Sequence, residues 1–433
     1  MHPIARAAYV IAGQAATLAS TVTPPASQKK FLRSLAARRG VMDQWEGWSK
    51  AHRDPSRPLV WLHAPSVGEG LQARPVIELL RARHPQWQLA YSYFSPSAES
   101  FAARLPVDVT GYLPFDTPDQ DRRLVAALRP SALVFAKLDV WPMLCEAAAA
   151  ARVPLGMVSG TVSPGSKRRG GFASALLRDA YALFNAVGAI STDDARRLVE
   201  LGCREEVLRV TGDTRYDQVW ARAAAVKRGD GMLRSLGSPR PTVVAGSTWP
   251  GDEAVVLSGW LEARDRVPRA RLIIAPHEPT EDHLVPIERW AAASGVAIAR
   301  LGTEDASDAD IVLVDRVGVL GDLYALGTCA FVGGGFHAAG LHSVLEPAAY
   351  GIPVMFGPRH DKSRDAGLLL EHDGGAVVQT VAEVADVMTR WMGPAAAIAG
   401  AHARALVESG LGAAEKAYEL VTGLVKRAEA ASD

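Results

Sequence analysis

The stretch LVWLHAPSVGEGLQARPVIELLRARH, residues 59–84, sets the reading of the whole chain. Its opening run, LVWLHA (59–64), is apolar without alternation, the pattern of a strand buried on both faces of a sheet. A short turn of small and polar residues follows, and GLQARPVIELLRARH then reads as an amphipathic helix. The unit repeats. LAYSYF (89–94), ALVFA (132–136), LGMVSG (155–160) and AVGAIS (186–191) read as strands, a helix is expected near 193–201, and VLRVTGD (207–213) closes this half. Strands alternating with helices imply a parallel sheet built by right-handed crossovers.

Residues 226–241 (VKRGDGMLRSLGSPRP) are charged and rich in Gly and Pro, and form the candidate linker. The alternation restarts beyond them with TVVAGS (242–247), RLIIAP (271–276), VAIAR (296–300), DIVLVD (310–315), CAFVGGG (329–335) and PVMFG (353–357). Ala-rich amphipathic helices close the chain. The expected organisation is an N-terminal helical segment over 1–57, a Rossmann-like domain over 58–225, the linker, and a second Rossmann-like domain over 242–433 whose last helices can cross back. Two such domains facing across a cleft make an α/β chain of GT-B plan. Ligands of open α/β sheets sit beyond the carboxyl ends of the strands, so the chemistry is sought there.

Length and composition agree with this. A chain of 433 residues needs two or three cores, and 48% apolar with 22% charged residues is ordinary for a soluble globular protein. Lys+Arg and Asp+Glu are both 47, so net charge names no partner and gives no reason to expect nucleic acid. Residues 1–60 are locally basic, with Arg6, Lys29, Lys30, Arg33, Arg38, Arg39, Lys50, Arg53 and Arg57 against Asp43, Glu46 and Asp54. Such a surface is drawn to anionic lipid headgroups, or is simply a solvated helical face. Residues 7–22 are weakly apolar and end at Pro24-Pro25, too short and polar for a spanning helix. With Trp45 and Trp48 following, a helix lying in the membrane interface is the preferred reading, against a signal peptide or a packed helix. Cys145, Cys203 and Cys329 are far apart, which argues for a reducing compartment and against a metal site.

The strand ends carry the candidate chemistry. After the first strand comes Ser66-Val67-Gly68-Glu69-Gly70, where the glycines permit a tight turn and Glu69 sits near a helix N-terminus. Glu69 can act there as a general base on a hydroxyl, or merely cap the helix. Lys137-Leu138-Asp139-Val140-Trp141-Pro142 ends another strand, as a site or as a structural Lys–Asp pair. Ser159–Arg169 is rich in hydroxyls and cations, suiting either phosphate or solvent. In the second half Gly246–Glu253 and Pro276-His277-Glu278-Pro279 follow strands. The run Phe331–Pro347 places Gly333, Gly334 and Gly335 before a helix carrying Glu346, an order that suits phosphate and a ribose diol. No GxxxxGK[ST] or HExxH is present, so a P-loop kinase or a zincin is not expected.

Taken together, SVGE (66–69), TGD-x-R-x-D (211–217), GST-x-x-GDE (246–253), APHEP (275–279) and FVGGG…GxHxxLE (331–346) resemble the 3-deoxy-D-manno-octulosonic acid (Kdo) transferase family over about residues 30–415. The resemblance implies an inverting glycosyltransferase that moves Kdo from CMP-Kdo to a lipid A precursor at the cytoplasmic face of the bacterial inner membrane. No cofactor or metal is implied. On this resemblance Glu69 is the general base, with Asp139 beside it in the catalytic set. Ser247, Thr248, His277, Gly333, Gly334, Gly335, Ser343 and Glu346 are expected to hold the donor. Ser66, Gly68, Ser163, Lys167 and Arg168 are expected on the acceptor side. The chain departs from the family's ETE-x-WPN at Lys137 and Met143, from its HN at Ser343, and from its DxxGEL at Val319. These departures leave two alternatives in view, a GT-B transferase or epimerase using another nucleotide sugar, and a non-catalytic relative that binds lipid or partners.

Overall fold

The computed structural model describes residues 3–24, 30–166, 168, 170–229, 231–338 and 340–430. Two compact units emerge, Met1–Gln218 with Leu411–Asp433, and Val219–Gly410. In the first, β1 (Leu59–His63), β2 (Gln88–Tyr93), β3 (Val109–Tyr112), β4 (Ala132–Ala136), β5 (Leu155–Gly160), β6 (Ala186–Ala189) and β7 (Leu208–Val210) form one sheet. Its order is β3-β2-β1-β4-β5-β6-β7 and every pairing is parallel. All residues of β1, β2, β4 and β5 are buried, as their largely apolar runs require when helices cover both faces.

The second unit repeats the plan with β8 (Thr242–Thr248), β9 (Arg271–Pro276), β10 (Ile298–Arg300), β11 (Ile311–Leu313), β12 (Cys329–Val332), β13 (Val354–Phe356) and β14 (Gly375–Val377). The order is β10-β11-β9-β8-β12-β13-β14, again parallel. Strand order reverses direction between β1 and β4 in one sheet and between β8 and β12 in the other. At such a reversal the loops leave toward opposite faces and open a crevice at the carboxyl ends.

Two edge strands, β3 and β14, have no counterpart in the sequence reading. Both are only partly buried and include a glycine, so neither presents the apolar run by which a buried strand is known. The stretch 226–241 is not a bare linker. It holds the helix Gly231–Ser235, and Leu233 and Leu236 are buried in the second core. The boundary between units falls earlier, within the helix Arg215–Ala225. The last helix, Ala413–Ala430, belongs to the first unit, where Ala417, Val421, Leu424 and Val425 join the core.

The N-terminal segment differs most from expectation. It folds as helices Pro3–Val22, Lys30–Ala36 and Val41–His52. Trp45 is buried against Trp61 and donates to Tyr112 O at 2.9 Å, so it faces the core and not a membrane. Many of the cations that made this region basic bond internally. Arg38 is buried on the Phe94 ring, its guanidinium 3.6 Å from the centroid, and donates to Leu113 O and Phe94 O. Arg39 donates to Thr23 O, Arg53 to Leu128 O, and Arg6 pairs with Glu146 at 2.9 Å. A guanidinium offers five donors and suits carbonyls left over at element ends, so counting charges overstated the free basic surface. Among the described residues no helix is long and apolar enough to cross a membrane.

The helix Pro3–Val22 docks over a pair of buried acids. Asp116 receives the backbone N–H groups of Met143 (3.1 Å) and Leu144 (2.9 Å), and Tyr9 reaches it from the helix. Neither oxygen of Asp121, fully buried beside it, has a well-placed donor. Asp121 is therefore the partner that keeps a proton. Burial, and then the Asp116 charge, push its carboxyl well above the ordinary value. A raised native value means that the folded state holds a proton the unfolded chain releases. Stability from this group is full below about pH 4, the unfolded value, and declines as pH rises toward the native value. Asp121→Asn is expected to melt higher than the wild type at pH 8, with the gap closing toward pH 5 in thermal denaturation. A lower melting temperature at pH 8 would contradict this assignment.

Candidate active site

The SVGE turn and the Lys137–Trp141 loop leave the adjacent strands β1 and β4, which pair from Val60↔Ala132 to His63↔Phe135. They therefore flank the reversal in the first sheet. Ser66 takes extended backbone (φ −142°) and is the N-cap of the helix Val67–Arg83, which puts Glu69 in the first helical turn. The two glycines do not serve a tight turn, because neither is among those with left-handed backbone. Gly68 lies exposed, and a Cβ there would make only an ordinary contact with the Ser66 hydroxyl at 3.9 Å. Gly70 is required by packing, since a Cβ there would stand 2.5 Å from the Phe101 ring and 2.8 Å from the Tyr91 hydroxyl.

Glu69 does more than cap its helix. The Ser66 hydroxyl donates to one carboxylate oxygen, and Lys137 Nζ lies 3.1 Å from the other. Burial alone would raise this carboxyl, but the Ser66 hydrogen bond and the Lys137 charge outweigh it and hold the group below its ordinary value. Glu69 is thus ionised at neutral pH and half-buried. A carboxylate in that state can take a proton from a hydroxyl brought against it.

Asp139 is more fully engaged. It accepts from Trp141 Nε1 at 3.1 Å and from Arg168 Nη2 at 3.3 Å. His63 Nε2 stands 3.8 Å away, beyond hydrogen-bond reach, and itself accepts from Trp141 Nε1 at 3.0 Å. His63 Nδ1 meets Ser92 Oγ at 2.9 Å. This geometry makes Asp139 an anchor for the loop through Trp141 and Arg168. Arg168 also donates to Leu138 O, so its guanidinium ties the loop after β5 to the loop after β4. Ser163 is exposed on the following loop, and Lys167 lies outside the described residues.

The second unit gathers its motifs at the β8/β12 reversal. Asp252 organises them. Its carboxylate accepts from the N–H groups of Trp249 (2.9 Å), Gly334 (2.8 Å) and Phe336 (3.1 Å). The Gly333 N–H donates to Gly246 O at 2.9 Å. Gly333 and Gly334 therefore do not offer free N–H groups to a phosphate. What they give is room. A Cβ on Gly333 would fall 2.2 Å from Ser247 O, one on Gly334 2.2 Å from Gly340 O, and one on Gly335 2.4 Å from Gly357 N. The Thr248 hydroxyl is buried and donates to Glu253 at 3.0 Å, which makes it a support. Ser247 is held at φ +55°. His277 and Ser343 are exposed, and Glu346 is half-buried, with burial raising its carboxyl.

One assembly escaped the sequence. Trp249 stacks on His337 (4.4 Å between ring centroids) and on His277 (4.7 Å), and His277 stacks on His342 (4.5 Å). Trp249 Nε1 reaches His342 Nε2 at 3.3 Å. Burial, with His277 and His337 adding to it, pushes His342 down to about 4, so its ring is neutral at pH 7. The four rings come from the ends of three different strands, and only the fold brings them together. Among the described residues no group of three or more His, Cys, Asp or Glu is placed to hold a metal ion. Of the family departures, Met143 is buried in the first unit and Val319 is partly buried against a core of the second, while Lys137 lies in the site and Ser343 at the surface.

The sequence profile of the family described as 3-Deoxy-D-manno-octulosonic-acid transferase (kdotransferase) matches residues 33–218. The 3-deoxy-D-manno-octulosonic acid transferase of Bordetella pertussis is 31% identical over 341 residues, covering 75% of this chain and 78% of its own. The transferase of the same description from Haemophilus influenzae is 26% identical over 309 residues, covering 69% and 70%. Among solved structures, UDP-GlcNAc 2-epimerase from Neisseria meningitidis, bound to UDP-GlcNAc, superposes with a TM-score of 0.59. It is 13% identical, and the match covers 86% of this chain and 100% of that one. The enzyme of that name from Methanocaldococcus jannaschii gives 0.56 at 12% identity, over 82% and 99%. At such identities the likeness is one of fold, the GT-B type.

Ser247 carries a side chain in left-handed backbone, which costs a non-glycine residue about 1 kcal/mol. Ser247→Gly is expected to stabilise the protein by roughly that amount, measured by urea denaturation. Gly333→Ala is expected to destabilise it by about 1–3 kcal/mol through the clash with Ser247 O. Unchanged stability in both variants would refute the reading of this close approach.

Proposed function

The chain belongs to the Kdo transferase family, and we propose that it moves Kdo from CMP-Kdo to a lipid A precursor, with Glu69 as general base and inversion at the sugar carbon. It is a glycosyltransferase. The observation that carries the mechanism is the state of Glu69, ionised, half-buried and at the carboxyl end of β1. An acceptor hydroxyl that approaches Glu69 gives up its proton to the carboxylate as its oxygen bonds to the anomeric carbon of Kdo. The bond from that carbon to the CMP phosphate breaks, and CMP leaves with the electron pair. Each carboxylate oxygen has about two lone-pair sites, so Ser66 and Lys137 still leave room for that proton.

In the second unit, Ser247, His277, Ser343 and Glu346 present the side chains for the donor, with Glu346 suited to a ribose diol. Gly333, Gly334 and Gly335 shape the pocket by letting backbones approach, and Thr248 supports it through Glu253. No cofactor is needed in this scheme, since the phosphate ester of the donor is already an activated leaving group.

Attachment to the cytoplasmic face of the inner membrane is the accompanying proposal. Ile4, Ile11, Leu18 and Val22 are 74%, 66%, 70% and 75% exposed, large apolar residues on a helix whose other side is docked. At 3.6 residues per turn they lie on one stripe. This stripe suits burial at the headgroup boundary of a bilayer, and it replaces the basic surface as the main contact.

Glu69→Gln is expected to keep the melting temperature and CMP binding and to lose about 10²–10⁴-fold in kcat. Transfer at the wild-type rate would remove Glu69 from the mechanism. Replacing Ile4, Ile11, Leu18 and Val22 together by Ser is expected to abolish sedimentation with phospholipid vesicles at low and high salt alike. Binding by the wild type that vanishes in high salt would instead return the role to charge.

A further inference from the structure

The loop that follows β4 places a cation against the proposed base, and it does so through unusual backbone. Lys137 sits at φ +67°, the left-handed region that side chains other than glycine rarely adopt. Its N–H donates to Val158 O at 2.9 Å, which pins the residue to β5. From that fixed point its Nζ comes within 3.1 Å of Glu69 Oε1. The lysine side chain is 42% exposed and the glutamate 18%, so the cation closes over the carboxylate from the solvent side. Arg129, Arg152 and Asp373 share the left-handed conformation, but they stand just past the ends of helices, where it is a common way to terminate them. Lys137 has no such reason.

We infer that Lys137 is a positioning residue for the base, its ammonium holding the Glu69 carboxylate in place and ionised while a hydroxyl approaches. This rests on the reading of Glu69 given above. The groups facing Glu69 from each side are few. Ser66 donates from its own helix, and Tyr91 on β2 brings a buried hydroxyl with no partner. Charged groups on neighbouring elements are directed elsewhere. Glu99 accepts from Tyr112 at 3.3 Å, Arg83 pairs with Glu415, and Asp213 pairs with Arg215 at 2.7 Å. Arg74 pairs with Glu78 on the same helix, and Arg168 is held by Leu138 O and Asp139. Removing the lysine charge leaves the Ser66 hydroxyl and the backbone N–H of Glu69 itself to oppose the cost of burying a carboxylate. The balance then moves toward the protonated acid, which cannot act as a base.

The test follows the carboxyl group itself. The protein is labelled with ¹³C at the glutamate carboxyl carbon, and the Glu69 resonance is assigned by its absence in Glu69→Gln. It is then titrated in wild type, Lys137→Met, Lys137→Arg and Lys137→Gly. The glycine variant suits the left-handed backbone and keeps the experiment sound if the methionine variant folds poorly. In the wild type and in Lys137→Arg, Glu69 is expected to stay ionised from pH 5 to 8, with a transfer rate that is flat over that range. In Lys137→Met and Lys137→Gly its midpoint is expected to rise to about 5 or above, and the rate at pH 5 to fall about twofold or more relative to pH 8. An unshifted Glu69 midpoint in both would overturn the role of Lys137. Wild-type transfer by Glu69→Gln would instead show that the base itself was wrongly chosen, whichever way the midpoint moved.

Discussion

The reversal of strand order beside the first strand of each sheet constrains everything else in this protein. Between β1 and β4, and between β8 and β12, neighbouring strands send their loops to opposite faces. The carboxyl ends of those strands are therefore where polar side chains can gather without being covered. The strands themselves admit little chemistry, because β1, β4 and β12 are buried along their whole length. Polar groups are displaced to the strand ends, and the loops must turn sharply to present them. Lys137 and Ser247 lie in left-handed backbone at two of these ends. Strain of this kind persists only where the surroundings fix it, and here Val158 O pins the first while the glycine loop packs against the second.

Acidic residues show how burial and donors together assign roles. Asp252 accepts three backbone N–H groups, so it fixes the loops after β8 and β12 and is not available for chemistry. Asp139 is fixed by Trp141 and Arg168, and anchors the loop after β4. Glu69 has the Ser66 hydroxyl and the Lys137 ammonium as its side-chain partners, and remains the carboxylate that a substrate can reach. Asp121 has no well-placed donor on either oxygen and keeps its proton in the core. Four carboxyl groups of similar intrinsic acidity thus serve four different purposes.

Much of the fold was legible because parallel strands buried on both faces print themselves as apolar runs, and β4, β5 and β9 have the bounds their sequences suggest. Half-buried edge strands such as Val109–Tyr112 leave no such mark. The motifs at the strand ends were legible as places, less so as roles. Gly333 and Gly334 look like phosphate-binding glycines in sequence, yet their N–H groups bond within the protein. The basic N-terminus dissolved for a related reason, since the sequence counts Arg38 and Arg53 as charges while the fold uses them as hydrogen-bond donors. The stacked rings of Trp249, His277, His337 and His342 could not be read at all, because no spacing in the chain encodes their proximity.

The GT-B fold is shared with epimerases acting on UDP-sugars, so the donor separates this protein's chemistry from that of its structural neighbours. The most direct measurement is transfer by the purified protein, with CMP-Kdo generated in situ and a lipid A precursor as acceptor, followed by mass spectrometry. The account predicts an acceptor carrying added Kdo, and no product when CMP-Kdo is replaced by UDP-GlcNAc. A folded preparation that leaves the acceptor unmodified by CMP-Kdo, and binds UDP in preference to CMP, would contradict it.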